Sequence, residues 1–345
     1  MRSPDLKIGK VLIVIPNYNG KDCIQACLES VSKQTYQPLE IIVIDNASQD
    51  GSGQWIQKNF PKIRLIQNQI NAGWSLACNL GAKASPSEYV MVLNNDAAIS
   101  PTCVEEMVKA IEQNPRYGSC ACRILLKDRP QCAEVCGLVI YRDGSSCARG
   151  RLGPSEQYMT VEEVFAASGC CSLFRRAMID EIGLYDPDFF MYCDDSDLGW
   201  RQQATGWKCI YTPHAIAYHA HSQSAGSYSA LKAFHVERNR LLLCIKHFSI
   251  PHLILSFLFA VYRYGYQIYL SGVLQKGALA QYRKEHSLWQ GLGVLLKAYV
   301  AAFAMFPVTW RKRREIRKLR GKIPLDTGEL FRRFGISTRQ MAGYE

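Results

Sequence analysis

The feature that most constrains this 345-residue chain is a set of four short, predominantly apolar runs near its start: VLIVI (11–15), LEIIVI (39–44), IRLI (63–66) and YVMVL (89–93). Runs of this length and composition mark strands covered on both faces, as in a parallel sheet. Amphipathic stretches lie between them at 21–33, 52–60 and 73–84, and in the first of these Cys23, Ile24, Cys27, Leu28 and Val31 share one helical face. This alternation predicts an α/β fold, an open and mostly parallel sheet with flanking helices. Ligands in such sheets bind beyond the carboxyl ends of the strands. The residues that follow each run therefore decide what the fold can do.

Those residues are PNYNG, DNASQDGS, NQINAGW and NNDAA. Each loop taken alone is explained by turn chemistry, since Asn, Asp, Gly and Ser are ordinary turn formers. Four of them on one rim offer carboxylates (Asp45, Asp96), amides (Asn17, Asn71, Asn94, Asn95) and glycines (Gly20, Gly73). No G-x-G-x-x-G or G-x-x-x-x-G-K-[ST] occurs, which argues against a dinucleotide dehydrogenase or a P-loop NTPase. After Pro101 a helix is predicted over 102–113, followed by a less regular section over 116–160. Two apolar segments follow, FAASGCCSLF (165–174) and CIYTP (209–213), and between them lies the most acidic cluster, DPDFFMYCDDSDLGWR (186–201). Asp194, Asp195 and Asp197 open a helical pattern there, so a bland role complementing a helix N-terminus stands beside any catalytic one.

The formal charge of +11 is unevenly placed. Residues 246–345 hold 17 of the 41 basic and 5 of the 30 acidic side chains, a net of +12, which leaves the first 245 residues at −1. All 14 cysteines precede residue 245, and none shows the C-x-x-C spacing of zinc or redox sites. MRSPDLKIGK runs into the first apolar run without an apolar leader core, so the expectation is a chain that is not secreted and whose thiols stay reduced.

Seven motifs occur in order: VLIVIPNYNG, EIIVIDNAS-x-DGS, N-x-G-W, YVMVLNND, SGCCSLFRR, FFMYCDDSDLGWR and AYHAHSQS. Together they resemble family 2 glycosyltransferases, in particular the bacterial branch that includes rhamnosyltransferases of cell-surface polysaccharide. The resemblance covers about residues 10–245. It implies a GT-A fold, with a nucleotide-binding half over about 10–100 and an acceptor half over about 101–245. It also implies an inverting, metal-dependent transfer of a sugar, rhamnose favoured, from a dTDP or UDP donor to a hydroxyl of a glycan or polyprenyl-diphosphate-linked glycan. Transfer of mannose, galactose or galactofuranose is the nearest alternative, and a catalytically inactive nucleotide- or glycan-binding subunit of the same fold is another.

By that resemblance Asp96 holds Mg²⁺ or Mn²⁺, with His219 approaching the metal; Asn94 replaces the other acidic residue of the family's D-x-D. From composition alone His219 reads equally as a packed histidine, and His221 remains a minor alternative because a His-x-His pair on a strand shares one face. Asp195 matches the general base, which removes the proton of the attacking hydroxyl. Asp194 stands where the family more often has Glu and is placed with the acceptor. Pro16, Asn17, Tyr18 and Asp45 match the nucleobase side of the donor site, and Asn71, Gly73 and Trp74 its ribose and diphosphate side; Asn95 and Asp96 belong to the donor site as well. Ser168, Gly169 and Cys170 match the acceptor floor. Trp207 can stack on an acceptor sugar or belong to the core. Arg201 can contact phosphate or anchor its helix.

From 246 onward the composition changes. LILSFLFAVY (253–262) is followed by Arg263, LGVLLKAYVAAFAMFPVTW (292–310) contains Lys297, and RKRREIRKLRGK (311–322) carries eight basic residues and one acidic. A membrane span needs about 20 apolar residues, and neither stretch meets that test cleanly. Aromatic-rich helices with scattered cations fit in-plane helices on an anionic leaflet, at the cytoplasmic face of the plasma membrane. A helical cap or a homo-oligomer interface is the alternative. No nucleic-acid-binding module accompanies the basic run, so nucleic acid is not an expected partner.

Overall fold

A computed structural model of the chain describes residues 9–220, 229–275, 278–320 and 326–343. The described residues fall into two compact units. The first comprises 9–138, 148–202 and 206–220; the second comprises 139–147, 203–205 and the residues from 229 onward. The boundary expected at 245 thus falls inside a helix of the second unit.

The four runs form strands β1 (Val11–Asn17), β2 (Leu39–Asp45), β3 (Arg64–Gln67) and β4 (Tyr89–Leu93). Helices α1 (Ile24–Ser32), α2 (Ser52–Asn59) and α3 (Trp74–Lys83) connect them. β1 pairs in parallel with β2 and β4, and β2 with β3. Every residue of β1 and β4 is buried, as continuous apolar runs require. β3 departs from that expectation: it closes the edge of the sheet, its two end residues are exposed, and the Arg64 guanidinium donates to the Ala84 carbonyl. The edge position is what lets an arginine sit within the run.

The chain continues through β5 (Ala97–Ile99), α4 (Cys103–Ile111), β6 (Tyr117–Leu126), β7 (Arg129–Val135), β8 (Leu138–Ile140), β9 (Ser146–Ala148), β10 (Glu162–Val164), β11 (Cys171–Arg175), α5 (Arg176–Ile182), α6 (Asp194–Ala204) and β12 (Lys208–His219). The main sheet runs β10-β12-β6-β11-β4-β1-β2-β3, with β5 beside β12 and β7 beside β6. β6, ten residues long, opens a region expected to be irregular. After Tyr117 its first half, GSCAC, is made of small residues, and at one of them Met178 of α5 comes close: a Cβ at Gly118 would lie 2.5 Å from Met178 Sδ. Small side chains hide a buried strand from any search for large apolar ones.

β11 is antiparallel to both β4 and β6, and β12 is parallel to β6. The carboxyl ends of β4 and β12 therefore lie at the same end of the sheet. His219 pairs with Ala97, and the Ala220 amide donates to the Asp96 carbonyl.

The second unit contains α7 (Ala230–His247), α8 (Ile250–Tyr269), α9 (Ala278–Glu285), α10 (Leu288–Ala304), α11 (Phe306–Leu319), α12 (Thr327–Phe334) and α13 (Thr338–Gly343). α7 packs on α10 and α11. A buried ion network holds the unit together. Arg263 donates to Asp143 at 2.6 Å and to Glu237 at 2.9 Å, while Arg240 donates to Glu237 at 2.9 Å and to the Asp143 carbonyl at 2.8 Å. Burial alone would raise the Glu237 carboxyl, but the Arg240 and Arg263 guanidinium groups outweigh it and hold it down at about 2.

Candidate active site

The parallel register places Asn17 opposite Asp45 at the carboxyl ends of β1 and β2. Asn17 Nδ2 lies 3.1 Å from Asp45 Oδ1 and 2.9 Å from Ser52 Oγ, and Asn17 Oδ1 accepts from Asn95 Nδ2 at 2.9 Å. One buried amide thus ties together the loops after β1, β2 and β4. Pro16 is buried within β1 next to Asn17, and Tyr18 is exposed on its other side.

Asn46, which the sequence reading passed over although it lies in the IDNAS run, organises the next loop. Its Nδ2 donates to Asn71 Oδ1 and the Gly73 carbonyl, both at 3.1 Å, and its Oδ1 accepts from Asn68 Nδ2 at 2.8 Å. Gly73 adopts φ +83°, and a Cβ there would lie 2.5 Å from the Phe190 ring, so both backbone and space demand glycine. Trp74 opens α3; its Nε1 donates to Asn94 Oδ1 at 3.2 Å, and its ring tilts against Tyr185 at 4.7 Å between centroids.

At the far side of the rim, His219 Nε2 lies 3.0 Å from Asp96 Oδ1. His219 Nδ1 lies 2.8 Å from Glu134 Oε2. Glu134, on β7, is a second residue the sequence reading missed, and nothing in its local sequence singles it out. Its carboxylate can only accept, so Nδ1 carries a proton, and Nε2 faces Asp96 as an N–H in the imidazolium or as a lone pair in the neutral ring. Asp96 Oδ1 is buried, with His219 Nε2 as its neighbour. Asp96 Oδ1 and His219 Nε2 thus face each other across 3.0 Å, satisfied by a proton on Nε2 and open to a divalent cation in its place. Burial would disfavour the imidazolium, but Cys170, Asp96 and Glu134 outweigh it and raise the ring's affinity for a proton. The residues present fit a divalent cation: a hard carboxylate oxygen, an imidazole nitrogen and a carboxylate behind the imidazole. Among the described residues no group of three or more His, Cys, Asp or Glu side chains converges to cage one. Asp96 also lines a cavity of about 290 Å³ with Cys23, Lys127 and Tyr218, so solvent can reach it.

Asp194 and Asp195 begin α6. The loop before them is strained: Phe190, Tyr192 and Cys193 all have φ between 61° and 66°. Asp195, partly buried, accepts from the Gly169 amide at 3.2 Å, the Ser196 amide at 2.8 Å and Ser196 Oγ at 3.3 Å. Asp194 is buried and accepts from Ser75 Oγ at 3.2 Å. Burial first, and the Asp195 charge second, push Asp194 up to about 8; burial also raises Asp195, against the pull of its amide donors. The adjacent carboxyls therefore hold one proton between them near neutrality. The three donors on Asp195 favour its carboxylate and leave the proton on Asp194.

Gly169 lies between this pair and Trp74, where a Cβ would meet Trp74 Cη2 at 2.7 Å. Ser168 Oγ accepts from the Cys170 amide at 3.3 Å, and Cys170 is buried against His219. The structure thus gathers Ser168, Gly169 and Cys170 between the two acidic centres. Trp207 does not join them. It precedes β12 at the opposite end of the sheet, packs in the core with Met178 and Ile182, and donates Nε1 to Glu181 at 2.9 Å, which removes it from the acceptor side. Arg201 is a helix anchor: it pairs with Asp197 at 2.9 Å and donates to the carbonyls of Ile182, Gly183 and Leu184. His221 lies outside the described residues.

The model of the glycosyl transferase family 2 matches residues 12–183, from β1 through α5, and so takes in Asn17, Asp45, Gly73, Asp96 and Gly169. The chain belongs to the family 2 glycosyltransferases. This glycosyltransferase is 28% identical over 249 residues to the N-acetylglucosaminyl-diphospho-decaprenol L-rhamnosyltransferase of Mycobacterium tuberculosis, covering 65% of the chain and 80% of that protein. It is 22% identical to the poly-beta-1,6-N-acetyl-D-glucosamine synthase of Staphylococcus epidermidis, where it spans about half (52%) of the relative's length. Among solved structures, GalNAc-T7 with UDP, GalNAc and Mn²⁺ superposes with a TM-score of 0.58 at 17% identity, over 70% of this chain and 48% of that one. The mannosyltransferase PcManGT from Pyrobaculum calidifontis with GDP-Man and Mn²⁺ gives 0.53 at 17%, over 92% and 88%. At such identities the superpositions establish the GT-A fold.

Proposed function

We propose that this glycosyltransferase transfers a sugar, rhamnose favoured, from a dTDP- or UDP-linked donor to a hydroxyl of a lipid-linked glycan, with inversion at the anomeric carbon. The observation that carries the mechanism is the pairing of two acidic centres around one small-residue floor: Asp96 with His219 on one side, Asp195 with Asp194 on the other. Asp96 and His219 would hold Mg²⁺ or Mn²⁺, with the donor's phosphates as further ligands. A bound divalent cation supplies neutralisation of the charge that develops on the departing nucleotide diphosphate. Glu134 keeps the His219 lone pair turned toward that position.

Asp195 accepts the proton of the acceptor hydroxyl as the new bond forms. Asp194, protonated, spares Asp195 a second adjacent negative charge. Asn17, Asp45 and Asn95 form a hydrogen-bonded wall suited to a nucleobase, and Asn46 holds the 68–73 loop that covers ribose and diphosphate. The mycobacterial relative, named for an L-rhamnosyl transfer to a diphospho-decaprenol-linked sugar, supports the choice of donor sugar and acceptor class. The basic, aromatic second unit supports work at the cytoplasmic face of the plasma membrane. The test is nucleotide diphosphate release from a panel of nucleotide sugars, with and without Mn²⁺ or Mg²⁺. Asp195→Asn is expected to bind donor and lose transfer by about 10²–10⁴-fold, the range of general-base contributions. Wild-type turnover in Asp195→Asn, or metal-stimulated turnover retained in Asp96→Ala, overturns the assignment.

A further inference from the structure

Two helices of the second unit are built inside out. On α8 the buried positions are Ser256, Ala260 and Arg263, while Ile254, Phe257, Leu258, Val261 and Ile268 are exposed, each by more than half. On α10 the buried positions are Ala298 and Ala302, while Trp289 (82% exposed), Leu292, Leu296, Val300 and Phe303 (80%) face outward. A helix docked on a water-soluble core places its large apolar residues inward. Here small or charged residues face inward, and the large apolar and aromatic residues form outward stripes at helical spacing. Two such stripes on one unit are far more than scattered surface leucines.

The charge of the same unit says what covers them. Arg311, Arg314, Arg317 and Lys318 are exposed along α11, against a single exposed acid, Glu315. A second basic copy of this unit would repel these cations, whereas an anionic lipid surface attracts them and receives apolar and aromatic side chains at the level of its head groups. Among the described residues no single helix is long and apolar enough to cross a membrane; α10 and α11 qualify only as a pair, bent by 59°. α10, at 17 residues, extends about 25 Å, short of the ~30 Å hydrocarbon layer, and carries exposed Lys297 in its middle.

We propose that the outward faces of α8 and α10 form one docking surface that lies in the plane of an anionic bilayer, seated by the stripes and held by the α11 cations. This rests on the reading that the enzyme works at a membrane, and it names the side chains that enter the lipid. The test is flotation of the full chain with vesicles of phosphatidylcholine alone or with about one-third phosphatidylglycerol, the anionic component that the cations require.

The wild type is expected to float with anionic vesicles and far less with neutral ones. Trp289→Gln/Phe303→Gln, whose two side chains are exposed and so leave the fold intact by circular dichroism, is expected to lose vesicle binding by about tenfold or more. Asp195→Asn is expected to float like the wild type while losing transfer, so failure of the surface and failure of the enzyme assignment are read separately. Unchanged flotation of the double variant overturns the proposal, and so does equal wild-type flotation on neutral vesicles. A wild type that stays at the bottom of the gradient also overturns it; if that protein is a dimer by sedimentation and the double variant a monomer, the face joins two copies of the chain instead.

Discussion

Replacing Asp194 with asparagine tests the proton assigned to the buried carboxyl pair. Burial and the neighbouring Asp195 lift Asp194 from 3.8 to about 8, so between those pH values the folded protein holds a proton that the unfolded chain has released. The folded-state value is the raised one. The stabilisation is therefore complete below about pH 4 and is lost as pH rises through about 8. At about 1.4 kcal/mol per pH unit the window sets a ceiling of ~6 kcal/mol. Asp195 shares the titration, which leaves ~2–3 kcal/mol as the expected loss between about pH 5 and 8. The amide matches the protonated carboxyl in shape and can still accept the Ser75 hydroxyl, but it cannot ionise.

Urea unfolding at a series of pH values reads the effect as a difference between the two proteins, which cancels every other titrating group. Asp194→Asn is expected to match the wild type within about 1 kcal/mol near pH 5 and to exceed it by ~2–3 kcal/mol near pH 8. Asp195 ionises beside a protonated Asp194 in the wild type and beside a neutral amide in the variant, so the ascending limb of the kcat/KM profile is expected to stay in place. A stability difference that stays constant from pH 5 to 8 would refute the shared proton. It would leave Asp194 as an ordinary helix-start aspartate.

Glu134→Ala is expected to weaken Mn²⁺ binding by about 10- to 100-fold, because His219 loses the acceptor that fixes its tautomer; calorimetric titration in the absence of donor checks this, and an unchanged affinity rejects the orienting role. Gly169→Ala places a methyl 2.7 Å from Trp74 Cη2 and should cost about 1–3 kcal/mol of stability by urea unfolding, with a raised KM for donor as Trp74 leaves Asn94. Arg263→Ala removes the guanidinium from the buried Asp143 carboxylate and leaves Glu237 with Arg240, and a loss of about 3–5 kcal/mol is expected; a loss under about 1 kcal/mol would mean that water enters the network.

Large apolar side chains made much of the first unit legible. β1, β2 and β4 announced themselves because central strands need such residues on both faces, and the rim followed from strand direction. β6 did not, because Gly118, Ser119 and Ala121 carry no hydropathy signal, and at Gly118 the approach of Met178 leaves no room for a side chain. The two acidic centres were legible through motif residues, Asp96, His219 and Asp195. Their supports were not: Glu134 reaches His219 from 85 residues away, a pairing set by the strand register around β6 and β7 and not by any local pattern.

Arg263 shows the same limit from the other direction. In the sequence it follows an apolar stretch and reads as a charge that spoils a membrane helix. In the structure it is 4% exposed and bonded to Asp143 and Glu237, so the charge is the inside of α8 and the apolar stretch its outside. The desolvation cost of the guanidinium is offset within the protein by its two carboxylate partners. The helix is thereby free to present leucine, isoleucine and phenylalanine outward with its polar side already satisfied. A buried ion network and an exposed apolar stripe on one helix are two halves of one arrangement. Arg263→Ala should accordingly loosen the seating of α8 and weaken the proposed vesicle binding, although none of the outward apolar side chains has changed.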